Sequence, residues 1–250
     1  EAELRTAINN NDFRLFYQPI VELKTEAITG FEALIRWKSP KRGLLPPADF
    51  ILIAEATKLI LPIGDWVLDT GLSAIKRFNE KMHKDFSISS NIARRQIEDE
   101  DFLPSVVQKV KANGLDVKEI QLEILERNFL IQGKMQDWIS QCTRQGFSIA
   151  LDDFGTGYSS LLYLQQFKPK VLKIDRSFVT GLPFNADSRN ICKAIIDLAQ
   201  NLGIRVVAEG VETTAQQKAL IELGCIYGQG YLFSKPLPED EMLQYLEKKK

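Results

Sequence analysis

Residues 151–160 read LDDFGTGYSS, two adjacent aspartates closing an apolar run and followed by glycines, a threonine and two serines. Asp152 and Asp153 have company. Other short apolar runs each carry a polar residue at or near the C-terminal end: Glu32 in GFEALIRW (30–37), Asn91 in FSISSN (86–91), Glu123 in IQLEIL (120–125), Lys173 in VLKID (171–175), Glu209 in IRVVAEG (204–210) and Gln229 in IYGQGYLF (226–233). Singly, each has a plain explanation. Glu32 could face solvent, Asn91 could cap a helix, Glu123 could pair with a nearby cation, Lys173 could snorkel to a rim, and Gln229 could belong to a loop. Together these explanations fail, because the polar positions recur at the same end of successive runs. Five carboxylates meeting at one mouth repel, and an unpaired buried carboxylate is too costly for a fold to carry. One lysine does not balance them. Divalent cations do, and oxygen donors without clustered His or Cys select hard ions: Mg²⁺, Mn²⁺ or Ca²⁺. Asp152–Asp153 therefore reads as a metal-bridging pair. A two-metal site suits phosphodiester hydrolysis, since it activates water and stabilises the leaving oxygen.

The rest of the composition excludes other chemistries. The chain has a single histidine, His83, in the polar stretch KMHKD, where it reads as a solvated surface residue. A His-rich metal centre and a Ser-His-Asp triad are thereby excluded. FGTGYSS is neither a Walker loop nor a Rossmann fingerprint. It reads as a mobile loop after the aspartates, with Ser159 or Ser160 capping the next helix. The three cysteines, Cys142, Cys192 and Cys225, are far apart and form no CxxC pair, which fits a reducing, cytoplasmic setting. A net charge of −1 gives no basic surface for polymeric nucleic acid. No apolar run reaches the roughly 18 residues that span a bilayer. The chain begins at Glu1, as a single domain over 1–250 excised from a larger parent would, and such a parent could be membrane-anchored.

The elements that must position these residues follow from periodicity. RLFYQPIV (14–21) and GFEALIRW, joined by a few polar residues, read as an antiparallel hairpin. After them strand candidates recur every 20 to 35 residues, including FSIALDD (147–153), with helix candidates between. These are PADFILIAEATKLI, IGDWVLDTGLSAIKRFNEKM, DFLPSVVQKVKAN, MQDWISQCTRQ, SSLLYLQQF, DSRNICKAIIDLAQNLG and TTAQQKALIELG. Such alternation implies parallel strands with crossover helices. The fold class is α/β: eight strands suggest a TIM-like barrel with an antiparallel first strand, and an open doubly wound sheet is the alternative. In a barrel, the polar strand ends form one face, where active sites are built.

The motifs, in their order and spacing, resemble the EAL domain, the class of cyclic-di-GMP phosphodiesterases of bacterial second-messenger signalling. The likeness runs through FYQPIV, EALIRW, LLPPADFI, SSN, LEILE, LDDFGTGYSSL, KIDRSF, VVAEGVET and GQGYLFSKPLP. It implies a modified TIM (β/α)8 barrel and Mg²⁺- or Mn²⁺-dependent hydrolysis of cyclic-di-GMP to linear pGpG, inhibited by Ca²⁺. Carried over residue by residue, Glu32, Asn91, Glu123 and Asp152 would hold one metal. Asp152, Asp153 and Glu209 would hold the second. Lys173 would orient the attacking water, Gln229 would lie beside the metals, and Gln18 and Arg36 would position the substrate, the arginine through phosphate. Glu126 would tether the DDFGTGYSS loop. The family also implies a homodimer.

Two positions depart from the common family pattern: Leu125 stands where Thr is frequent, and Ala93 where Ser is frequent. A lost hydroxyl beside a ligand weakens support for the metal by roughly 10–100-fold. The competing readings are a catalytically inactive cyclic-di-GMP receptor and a Mg²⁺-dependent barrel lyase of the enolase type. Receptors of this family typically lose metal ligands or the EAL glutamate, and here all the carried-over ligands stand.

Overall fold

A computed structural model describes all residues except 131–133, 158–163, 165, 166 and 250. Among the described residues, ten strands form one sheet: β1 (Phe13–Glu22), β2 (Ile28–Ser39), β3 (Gly43–Leu45), β4 (Ser87–Asn91), β5 (Ile120–Leu125), β6 (Ser148–Phe154), β7 (Val171–Ile174), β8 (Arg205–Ala208), β9 (Tyr227–Gly228) and β10 (Leu237–Pro238). Eight of them close a ring, in the order β1-β9-β8-β7-β6-β5-β4-β2 and back to β1. β1 is antiparallel to both its neighbours, β2 and β9. The remaining joins of the ring, from β2 through β9, are all parallel. The barrel with an antiparallel first strand is therefore the observed fold, and the open doubly wound sheet is not.

The pleat sorts side chains between barrel interior and helix layer. Inside, Ile20, Ala150, Val171 and Val207 form an apolar layer, with Tyr227 against it. Outside, the helix Ile60–Met82 lays Ile63, Val67, Leu72, Ile75 and Phe78 onto the sheet. It ends at His83, whose left-handed φ of 53° stops the helix. His83 is exposed, as its sequence context suggests. Helix starts follow their capping signals: Thr213 accepts a hydrogen bond from the Gln216 amide at 3.2 Å, and Asn185 from the Ser188 amide at 2.9 Å.

Several elements differ from expectation. The helix expected over PADFILIAEATKLI breaks into a short 3-10 turn, Pro47–Asp49, and Ile51–Ala56, because Lys58 takes a φ of 63° that ends it before the next helix. Helices Ala2–Asn9 and Glu239–Lys248 were not marked by strong caps and emerge only in the structure. The SSLLYLQQF helix, with Ser159 and Ser160 as candidate caps, lies outside the described residues as a unit. IYGQGYLF yields only two strand residues. After Gly228, the chain leaves the ladder and packs Gly230 against the Val211 backbone, so closely that a Cβ there would overlap it. The Gln229 amide still donates to the Ala208 carbonyl at 2.9 Å, and the Val211 amide to the Gln229 carbonyl at 3.0 Å, which fixes Gln229 at the barrel rim.

Gly230→Ala should therefore destabilise the fold by about 2 kcal/mol or more, since rigid backbone cannot yield to the added methyl. Urea unfolding would check this, and an unchanged midpoint would contradict the close approach.

Candidate metal centre

Lys173 is the third residue of β7 and points into the barrel, where it is fully buried. It does not snorkel. Its ammonium lies 2.7 Å from Glu209 Oε1, 2.8 Å from Glu123 Oε2, 3.2 Å from Glu32 Oε2 and 3.3 Å from Asp152 Oδ1. Glu32, Glu123 and Asp152 stand on β2, β5 and β6, and Glu209 directly follows β8, so the barrel brings the four carboxylates to one level. Glu32 lies mid-strand in β2 rather than at its end, yet faces the same point.

Amide groups hold these carboxylates from the side. Asn91 Nδ2 donates to Glu32 Oε1 at 3.1 Å, and Gln229 Nε2 donates to Glu32 Oε2 at 2.6 Å and to Glu209 Oε1 at 3.2 Å. With its nitrogen turned to Glu32, Asn91 has a carbonyl oxygen that a cation could use. Gln229 Oε1 is buried with no partner among the described residues.

Adjacent residues of a regular strand point to opposite faces, so Asp152 and Asp153 need an irregularity to converge. The β6–β7 register slips between Leu151 and Phe154, and Asp153 adopts a left-handed φ of 56°. Asp tolerates that region better than most residues, though at a strain of order 1–3 kcal/mol. The result is two overlapping groups: Glu32, Glu123 and Asp152, and Asp152, Asp153 and Glu209, each with carboxylate oxygens within 4.8 Å of one another. Asp152 belongs to both.

Charge states follow from burial and company. The Glu123 carboxyl is pushed up to about 8, mainly by burial, with Glu32 and Asp152 reinforcing and Lys173 opposing. Burial raises Asp152 and Asp153 as well, and holds Glu209 well above its ordinary value. Burial also pushes Glu32 upward, but Lys173 and the Gln229 and Asn91 hydrogen bonds outweigh it and leave Glu32 below the usual carboxylate range. Burial alone would lower Lys173; the carboxylates, Glu123 first, hold it well above its ordinary value. With all five carboxyls ionised, one ammonium leaves four negative charges, which two divalent cations would neutralise. The donors are all oxygen, so the residues fit two hard divalent ions.

The other expected residues lie around this core. Gln18 sits opposite Glu32 in the β1–β2 register, is buried, and donates to the Ser234 carbonyl at 3.2 Å. Arg36 is half-buried, shares the Glu32 face of β2, and stacks over Phe16 at 5.5 Å. Glu126 Oε2 accepts from the Gly155 amide at 2.9 Å and the Gly157 amide at 3.3 Å, so it grips the start of the DDFGTGYSS loop. The remainder of that loop is outside the described residues. Sequence reasoning missed an apolar groove of about 450 Å³ beside Asn91, lined by Leu34, Ile35, Pro47, Ile60 and Leu125 among others. Leu125 and Ala93, the two departures, both lie on this groove. Its signal is diffuse, because its apolar residues come from separate elements and look like core.

A family model for the EAL domain matches residues 1–236. The chain belongs to the EAL domain family. This EAL domain is 38% identical over 247 residues to the signaling protein YkoW of Bacillus subtilis (strain 168), covering 98% of this chain and 31% of YkoW. It is 38% identical over 242 residues to the bifunctional diguanylate cyclase/cyclic di-GMP phosphodiesterase MucR of Pseudomonas aeruginosa, covering 96% of this chain and 35% of MucR. The chain spans about a third of the length of these curated relatives. Among solved structures, the EAL enzyme Bd1971 in its cAMP and cyclic-di-GMP bound form superposes with a TM-score of 0.95 at 38% identity, covering 98% of this chain and 67% of that one. The PaMucR phosphodiesterase in complex with c-di-GMP gives 0.92 at 37% identity, covering 96% of this chain and 98% of that one. No helix among the described residues is long and apolar enough to cross a membrane.

The raised carboxyls set the pH response of the metal-free protein. A carboxyl raised on folding makes the folded state take up protons relative to the unfolded chain, so stability falls as pH rises from the ordinary value of 4.5 to about 8. Lys173 does not oppose this, because a raised lysine contributes its full stability below 10.5. The metal-free melting temperature should thus drop as pH rises across this window. Saturating Mg²⁺ should flatten the drop and release protons on binding. A pH-independent melting temperature in chelator would contradict these charge states.

Proposed function

We propose that this chain hydrolyses one phosphodiester bond of cyclic-di-GMP to give linear pGpG, with two Mg²⁺ or Mn²⁺ ions per site. The observation that carries the proposal is the pair of all-oxygen clusters, one buried and one half-buried, that share Asp152 around Lys173. Family membership and the phosphodiesterase relatives support the substrate class.

Glu32, Asn91, Glu123 and Asp152 would hold one cation, and Asp152, Asp153 and Glu209 the other. When bound, the two ions supply an activated water and stabilise the leaving oxygen. The protein's own groups do the positioning. Lys173, fixed by its carboxylates, presents its ammonium to orient the attacking water and to offset charge that develops on the phosphoryl group. The water oxygen joins phosphorus, the bond to the ribose 3′ oxygen breaks, and that oxygen takes up the proton that the water gives up. A 5′-phosphate and a 3′-hydroxyl result. Arg36, held over Phe16 with Nη1 donating to the Ile35 carbonyl at 2.9 Å, offers its guanidinium to non-bridging phosphate oxygens. Gln18 and the orphaned Gln229 oxygen offer polar contacts beside the cluster. The apolar groove next to Asn91 has the character needed to cover a purine. Glu126 tethers the loop that follows the two aspartates. Ca²⁺, larger and less strict in its geometry, would occupy the site without supporting turnover.

Incubating the domain with cyclic-di-GMP and Mg²⁺ or Mn²⁺, then separating nucleotides by chromatography, tests the proposal. Linear pGpG should appear and should vanish with chelator or Ca²⁺. Glu32→Ala should lower turnover by at least about 100-fold while leaving the far-UV circular dichroism unchanged. Tight binding without product would instead make the domain a receptor.

A further inference from the structure

The lower part of the barrel is where side chains should be apolar. Ile20, Ala150, Val171 and Val207 follow that rule. Gln121 on β5 breaks it. It is 7% exposed and stands at the same pleat position as Ser89 on β4 and Ser148 on β6. Below it lies a cavity of about 380 Å³ at the N-terminal end of the barrel, bordered by Gln121, Ser148 and Arg205. Burying a carboxamide costs stability unless it is hydrogen-bonded. Gln121 Nε2 donates upward, to Glu123 Oε1 at 3.2 Å.

That bond completes a pattern. Glu32 is held by Asn91 and Gln229, Glu209 by Gln229, and Asp152 by the Asp153 backbone amide at 3.0 Å. Glu123 is fully buried and receives Lys173 on Oε2, and the Gln121 carboxamide is the side-chain amide that fixes its other oxygen. Gln121 and Glu123 are two residues apart on one strand face, so the strand's pleat sets their contact directly.

We infer that Gln121 is a positioning residue for the metal centre: from the layer beneath, it fixes the rotation of the Glu123 carboxylate that would face the first cation. The inference rests on the two-metal reading of the site. Partners of this kind orient a ligand before the metal arrives, and losing one typically weakens metal binding by about 10–100-fold.

The test is calorimetric titration of Mn²⁺ into the chelator-treated domain, in wild type, Gln121→Met and Ser148→Ala. Methionine keeps the length and bulk of glutamine but has no donor. Ser148 borders the same cavity and its hydroxyl is buried with no partner among the described residues, so it controls for disturbance of the cavity alone. Gln121→Met should weaken Mn²⁺ binding at least about 10-fold. Its KM for cyclic-di-GMP at saturating Mn²⁺ should stay within twofold of wild type, and Ser148→Ala should bind Mn²⁺ as wild type does. Equal affinity in wild type and Gln121→Met, or an equal loss in both variants, would overturn the positioning role. Wild type that binds no Mn²⁺ would instead overturn the two-metal reading itself.

Discussion

The interaction on which the structure depends is the burial of Lys173 among carboxylates it is too few to neutralise. One ammonium lies 2.7 to 3.3 Å from four carboxylates. The carboxylates do not fare equally well. Their excess negative charge is tolerable in the metal-free fold only through protonation and the amide donors that surround them. The barrel supplies the scaffold: eight strands carry side chains to one level, and an apolar layer beneath closes the interior. A surplus of buried charge is a poor way to stabilise a fold and a good way to demand cations. Part of the site's stability is therefore deferred until they bind.

Local strain is concentrated where that demand is met. Asp153 takes a left-handed backbone so that two neighbouring aspartates reach one place. Gly230 gives up its side chain so that the chain can fold tightly over Val211 and hold Gln229 at the rim. These are departures from regular strand geometry at the two positions where a regular strand would put the functional group on the wrong face or out of reach.

Much of this was legible in the sequence. Carboxylates recurring near strand ends, the single Lys173 and the absence of clustered His or Cys pointed to a hard-metal centre, and the short spacing between the first two strands pointed to their antiparallel pairing. Period and composition do not report backbone slips, so the Asp152–Asp153 bulge was invisible. IYGQGYLF looked like a strand because its residues favour extended backbone, while the contact that pulls it from the ladder is with distant Val211. Gln121 resembled an ordinary polar position in an alternating strand. Its meaning appears only when the barrel places it directly under Glu123 with its donor raised. The groove beside Asn91 was hidden for the opposite reason, because apolar residues that line a site and those that fill a core are the same kinds of residue.

The central claim is that the charge of this site is completed by two divalent cations that share Asp152. The most direct measurement is a crystal structure of the domain grown with Mn²⁺, with data collected to show the anomalous signal of manganese. The account predicts two peaks, one among Glu32, Asn91, Glu123 and Asp152 and the other among Asp152, Asp153 and Glu209, with Lys173 still between the carboxylates. A single peak, or ions bound away from Asp152, would contradict it.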